Sequence, residues 1–119
     1  MITLEKSIKS IKDILTSEDI LVFEFASDKG KKFAVIYADG LIDKQLLGEL
    51  VIKPLRHVAL EADKEEVKAA LASPELKDGK KIADAVKEIS GGNAVLLIDG
   101  EKDFFVAGVK SPPSRAVAE

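Results

Sequence analysis

Phe33-Ala34-Val35-Ile36-Tyr37-Ala38-Asp39-Gly40 is a short apolar run closed by Asp-Gly, and Ala94-Val95-Leu96-Leu97-Ile98-Asp99-Gly100 repeats the arrangement late in the chain. Runs this short, rich in β-branched, aromatic and leucine side chains, read as strands, and Asp-Gly supplies the turn that ends each one. Neither run alternates with polar residues, so both faces of the strand are buried. A sheet covered by helices on both sides, or by helices on one side and a partner on the other, accounts for that pattern.

Working outward from the first run, Ile20 to Ala26 is the preceding strand. It carries Leu21, Phe23 and Phe25 on one face and Ile20, Val22 and Glu24 on the other. Asp28-Lys29-Gly30 is turn chemistry between the two strands, so they form a β-hairpin. Beyond the second run, Phe104 to Val109 pairs back across Asp99-Gly100-Glu101-Lys102 as another hairpin.

The remaining segments have helical spacing. Leu4, Ile8, Ile11 and Leu15 predict a helix over Thr3–Thr16, with Thr3 as N-cap and Ser17-Glu18-Asp19 ending it. Leu46, Leu47, Leu50 and Val51 line a second helix from Asp43. Pro54 either kinks it or starts a new turn through Leu55, Val58 and Leu60. Asp63 with Glu66 is a capping box for a helix carrying Val67, Ala70 and Leu71, stopped by Ser73-Pro74. Ile82, Ala85, Val86 and Ile89 form the last stripe, closed by Gly91-Gly92. The expectation is a single α/β (α+β) domain of four strands in two hairpins packed with four helices, in the order α-β-β-α-α-α-β-β. It occupies residues 1–110, and Ser111-Pro112-Pro113-Ser114 opens a linker over residues 111–119.

The 119 residues suit one domain, and 46% hydrophobic with 33% charged residues is the balance of a globular protein. Eighteen basic and 21 acidic side chains are mixed along the chain, giving a net charge of −3. No basic stripe marks a nucleic-acid partner. With no cysteine, disulfides, thiolate metal sites and cysteine nucleophiles are excluded. The apolar runs fall far short of the roughly 20 residues that span a bilayer.

Few residues point to chemistry. Asp39, Asp43, Asp99 and Asp103 lie near strand ends, but Asp-Gly there is ordinary turn chemistry, and the acids lack the spacing of a calcium loop. His57 is the sole histidine and cannot build a usual zinc site. Gly91-Gly92-Asn93 precedes a strand, whereas phosphate-cradling glycines follow one and open a helix. Lys80-Lys81 and the Lys29, Lys31, Lys32 group read as solvated faces. No serine stands in a nucleophile-elbow pattern. The reading is a non-enzyme with no catalytic residue, no metal and no cofactor.

The order of these segments resembles the N-terminal region of spore germination receptor A subunits, the GerA family. The resemblance rests on Asp19-Ile20-Leu21-Val22, on Tyr37-Ala38-Asp39-Gly40-Leu41-Ile42-Asp43-Lys44-Gln45-Leu46 leading to Lys53-Pro54-Leu55, and on Gly91 through Leu96-Leu97-Ile98-Asp99-Gly100. Arg115 and Glu119 match more weakly. It covers the chain from about Asp19 onward. It implies a first soluble subdomain, followed in such receptors by a second and by membrane helices. The implied role is to transmit or modulate the nutrient signal through other receptor subunits and the second subdomain, on the cytoplasmic side of the inner spore membrane. The alternative is a sensor binding an amino acid or sugar germinant, with Asp39, Asp43, Lys53 and Arg56 as candidate ligands.

Overall fold

The computed structural model describes residues 3–16, 19–71 and 75–109. Helix α1 (Leu4–Ile14) opens at Thr3, whose hydroxyl accepts the Lys6 N–H at 3.2 Å. Strands β1 (Ile20–Ala26) and β2 (Lys32–Ala38) form the expected antiparallel hairpin, with Leu21 opposite Tyr37 and Phe25 opposite Phe33. In its turn the Ser27 hydroxyl accepts the N–H groups of Lys29 and Lys31, and Gly30 takes φ +93°.

Helix α2 (Lys44–Leu47) widens into a π turn over Gly48–Ile52 and tightens into a 3₁₀ turn over Lys53–Leu55. Both Ile52 and Lys53 keep right-handed helical angles. Pro54 has no N–H to give, and its ring crowds the carbonyl of Leu50 in a regular helix. The change of pitch around it lets the chain continue.

Helix α3 (Lys64–Ala70) has its capping box in full, Asp63 accepting from the Glu66 N–H at 2.9 Å and Glu66 from the Asp63 N–H at 3.1 Å. Strand β3 (Leu76–Gly79) leads to helix α4 (Ile82–Ser90). That helix closes with Gly92 at φ +94° and the Asn93 N–H on the Glu88 carbonyl, the bond that ends a helix at a left-handed glycine. Strands β4 (Ala94–Ile98) and β5 (Phe104–Ala107) complete the fold.

All pairings are antiparallel, and the five strands run β1-β2-β4-β5-β3 across one sheet. Alternation along the central strands splits the core in two. Phe33, Val35, Leu96, Ile98 and Phe105 face the α2–α3 layer with Leu47, Val51, Leu55 and Val67. On the opposite face Ala34, Ile36, Val95, Leu97, Phe104 and Val106 meet Leu4, Ile11, Ala85 and Ile89 of α1 and α4. Helices thus cover both faces, which is why the quoted runs carry no polar residue.

The sequence reading missed β3. Leu76-Lys77-Asp78-Gly79 holds one large apolar residue and ends in turn-forming types, so it lacks any strand period. Its ladder with β5 makes it a strand, Leu76 opposite Ala107 and Gly79 opposite Phe104. Strand β5 also stops short of the expected Val109. The Gly108 N–H bonds the Glu75 carbonyl, and the Val109 carbonyl accepts the Asp43 N–H. Ser17-Glu18, Ser73-Pro74 and the linker over 111–119 lie outside the described residues.

Candidate functional site

The two Asp-Gly turns stand at opposite ends of the sheet, and each carboxylate has a structural task. The Asp39 N–H bonds the Asp19 carbonyl beside the end of β2, whereas the Asp99 N–H bonds the Lys32 carbonyl at its start. Asp99 Oδ1 accepts the Leu4 N–H at 3.0 Å, anchoring the first turn of α1. Asp43 caps α2 by accepting from the Gln45 and Leu46 N–H groups at 3.0 and 3.1 Å. Asp39 is exposed and pairs with Lys44 at 3.2 Å. Among the described residues no group of three or more acidic or histidine side chains is arranged to hold a metal.

The four candidate ligand residues fall into two pairs. Asp39 and Asp43 lie where β2 ends. Lys53 and Arg56 lie at the far end of α2, where the Arg56 carbonyl takes the Asp28 N–H at 2.7 Å and His57 Nδ1 lies 2.6 Å from Asp28 Oδ2. The length of β2, roughly 20 Å at the usual rise per residue, separates the pairs. Lys53 and Arg56 both point their charges to solvent.

A polar network ties α3 to the β3 edge. Lys64 Nζ reaches Asp103 Oδ2 at 2.8 Å and Asp78 Oδ2 at 3.3 Å, Lys68 Nζ reaches Asp78 Oδ1 at 3.3 Å, and Lys64 also lies 5.9 Å from the Phe105 ring centre. The hydrogen bond from Lys64 holds Asp103 below the ordinary aspartate value of 3.8, against the upward pull of burial. Burial pushes Asp78 up, but the bonds from Lys68 and Lys64 outweigh it and leave Asp78 below that value too. The bond to Asp103 raises Lys64 above its usual value.

A depressed carboxylate contributes stability that is complete above its unfolded pKa and disappears as pH falls through the folded one. The urea midpoint is therefore expected to fall as pH drops below 3.8, once Asp103 and Asp78 protonate. Asp103→Asn removes part of that acid dependence while lowering the midpoint at neutral pH. Equal slopes for the two proteins below pH 4 would remove the network from the account.

Several large apolar side chains are exposed. Phe23 on β1 is 44% exposed, Leu41 and Leu46 are 46% and 36% exposed on the turn and helix that follow β2, and Ile14 and Leu60 are exposed elsewhere. Phe23 stacks on Phe25 with ring centres 5.7 Å apart, and Phe25 stacks on buried Phe33 at 5.3 Å. A ladder of three rings thus runs from the core to the rim, along an edge strand whose outer side pairs with no other strand in the sheet. The sequence placed Leu21, Phe23 and Phe25 on one face but carried no signal that β1 stands at the edge.

A sequence model of the Bacillus/Clostridium GerA spore germination protein matches residues 4–119. The chain belongs to the GerA family. It is similar to spore germination protein B1 of Bacillus subtilis (strain 168), with 30% identity over 122 residues covering 98% of this chain and 25% of the relative. It therefore spans a quarter of the length of that curated relative. The crystal structure of the N-terminal domain of the A subunit of the Bacillus megaterium spore germinant receptor GerK3 has the same fold, at a TM-score of 0.65 and 11% identity over 88% of this chain and 90% of that one.

Seen in this GerA-family chain, the segment from Tyr37 to Leu55 is a device for turning strand into helix. Gly40 takes φ +87°, Ile42 is buried, Asp43 caps and Leu55 enters the core. Leu41 and Leu46 do none of this. No helix among the described residues is long and apolar enough to cross a membrane.

Proposed function

We propose that this domain is a non-enzymatic part of a germinant receptor A subunit, relaying the nutrient signal through contact with other subunits of the receptor. The observation that carries this reading is the open β1 edge, where Phe23 continues the core's aromatic ladder into solvent. Leu41 and Leu46 are exposed as well, on the turn and helix that follow β2. An exposed ring on an edge strand with one free side suits a protein partner, because backbone pairing and ring burial act together there. Membership of the GerA family, and similarity to one quarter of a longer germination protein, support placing the partner within the receptor. On this reading the domain lies on the cytoplasmic side of the inner spore membrane, and residues 111–119 link it to the rest of the A subunit.

The test is the pair Phe23→Glu with Leu46→Glu, introduced into the whole receptor in spores. The A subunit is expected to stop co-purifying with its partner subunits, and nutrient-triggered loss of spore refractility to slow about tenfold. The 119-residue domain carrying the same changes is expected to keep its melting temperature within about 4 °C, since both side chains are partly exposed already. Unchanged co-purification and germination would overturn the docking reading.

A further inference from the structure

On the α1–α4 face of the sheet a cleft of about 160 Å³ gathers cationic side chains that the docking reading leaves unused. Lys6, Ser7 and Ser10 of α1 form one wall, Lys80 and Ile82 the entry to α4, and Lys102 the β4–β5 turn. Each arrives there for a structural reason. The Leu4 N–H on Asp99 pins the start of α1 against the β4–β5 turn, which brings Lys6 towards Lys102. Lys6 and Ser10 are one helical turn apart and share a face. Lys80 follows Gly79, the last residue of β3, and precedes the first turn of α4, which no side chain caps.

Of the carboxylates near this corner, Asp99 accepts from Leu4, and Asp103 bonds Lys64 through Oδ2. The buried Oδ1 of Asp103 makes no hydrogen bond among the described residues, and Asp103 lies near enough to Lys80 and Lys102 to feel their charge. Glu5, Asp84 and Glu101 are close in sequence, yet among the described residues Lys6, Lys80 and Lys102 make no ion pair. Lys12, Lys32, Lys53, Lys81 and Lys87 make none there either, so what sets these three apart is that they line one cleft. Lys6, Lys80 and Lys102 are exposed lysines that line one small cleft and repel one another through solvent, and in a chain of net charge −3 that concentration is local. An anion reverses the sign of that interaction. A tetrahedral phosphate offers several charged acceptors to three ammoniums and two hydroxyls, whereas a single carboxylate offers one charge and two oxygens.

We propose that this cleft binds a phosphate group, presented either by a soluble phosphate compound or by an anionic lipid headgroup. The ¹⁵N-labelled 119-residue chain is titrated with inorganic phosphate, and separately with vesicles of phosphatidylglycerol or of phosphatidylcholine, at constant ionic strength. Saturable amide shifts confined to Lys6–Ser10, Lys80–Ile82 and Lys102 on adding phosphate support the site and assign a soluble source. Association with phosphatidylglycerol but not phosphatidylcholine, without saturation by phosphate, supports it with the headgroup as source.

In either case Lys80→Gln with Lys102→Gln is expected to weaken binding at least about tenfold. Lys6→Glu serves as a second variant should the pair perturb the fold. The proposal fails if neither probe binds, if sodium chloride reproduces the shifts, or if the lysine variants bind as tightly as the unaltered chain. Assembly through Phe23 is a separate readout, so a negative result here leaves the docking test standing.

Discussion

Gly79→Val is expected to destabilise the domain by about 3 kcal/mol, the upper end of what overpacking a close-packed core costs. The cause is space. A Cβ built on Gly79 would lie 2.1 Å from Cε1 and 2.4 Å from Cζ of Phe104. Phe104 is 1% exposed, and its ring lies within the cluster formed by Ile11, Ile36, Ala85 and Ile89, so it has nowhere to retreat. Thermal unfolding should show a melting temperature lower by about 10 °C or more. Adding Phe104→Leu should recover part of the loss, because the two sites share one volume and their effects are coupled. A Gly79→Val protein melting with the unaltered one would mean that β3 does not pack against Phe104 as described.

Phe33→Ala is the second large effect, at about 3–5 kcal/mol, a substantial fraction of the 5–15 kcal/mol that holds a typical domain together. Phe33 is fully buried on β2, with Phe25 stacked on it from the edge strand and Ile98 paired to it from β4. Its removal leaves a cavity under the ring ladder and loosens β1. Urea unfolding measures the loss, and amide exchange along β1 should accelerate well beyond that in β5. Phe23→Ala, at the exposed end of the same ladder, is expected to cost about 1 kcal/mol or less. Near-equal losses at the two positions would show that the ladder does not grade from core to surface.

These two residues also show what was legible in the sequence and what was not. Phe33 sits in an apolar run bounded by turn residues, and that local pattern sufficed to place β2, its hairpin with β1 and its burial on both faces. The capping box at Asp63 and Glu66 and the closing glycines of α4 were readable for the same reason, since their geometry is determined within a few residues. Gly79 belongs to the other class. Nothing in Leu76-Lys77-Asp78-Gly79 asks for a strand until β5 lies alongside it, and the value of its missing side chain is apparent only with Phe104 overhead.

The candidate site divides likewise. Asp43 as a cap followed from local pattern, but the separation of Asp39 and Asp43 from Lys53 and Arg56 depends on how α2 lies along the sheet. The convergence of Lys6, Lys80 and Lys102 needs three distant parts of the chain to meet. In the sequence they are unremarkable surface lysines.

The strand order bears on how the chain is made as well as how it stands. Strand β4 lies between β2 and β5, yet β1, β2 and β3 all leave the ribosome before it. Until residues 94–107 emerge, β2 has a partner on only one side, and its run from Phe33 to Ile36 presents an apolar edge where β4 will pair. The bond from Leu4 to Asp99 likewise closes the first helix onto one of the last turns. The domain therefore cannot complete its sheet piecemeal during synthesis. Its first hairpin is local and can pair early, but the sheet closes only once β4 and β5 are available, which places the fold among the slower topologies rich in long-range contacts.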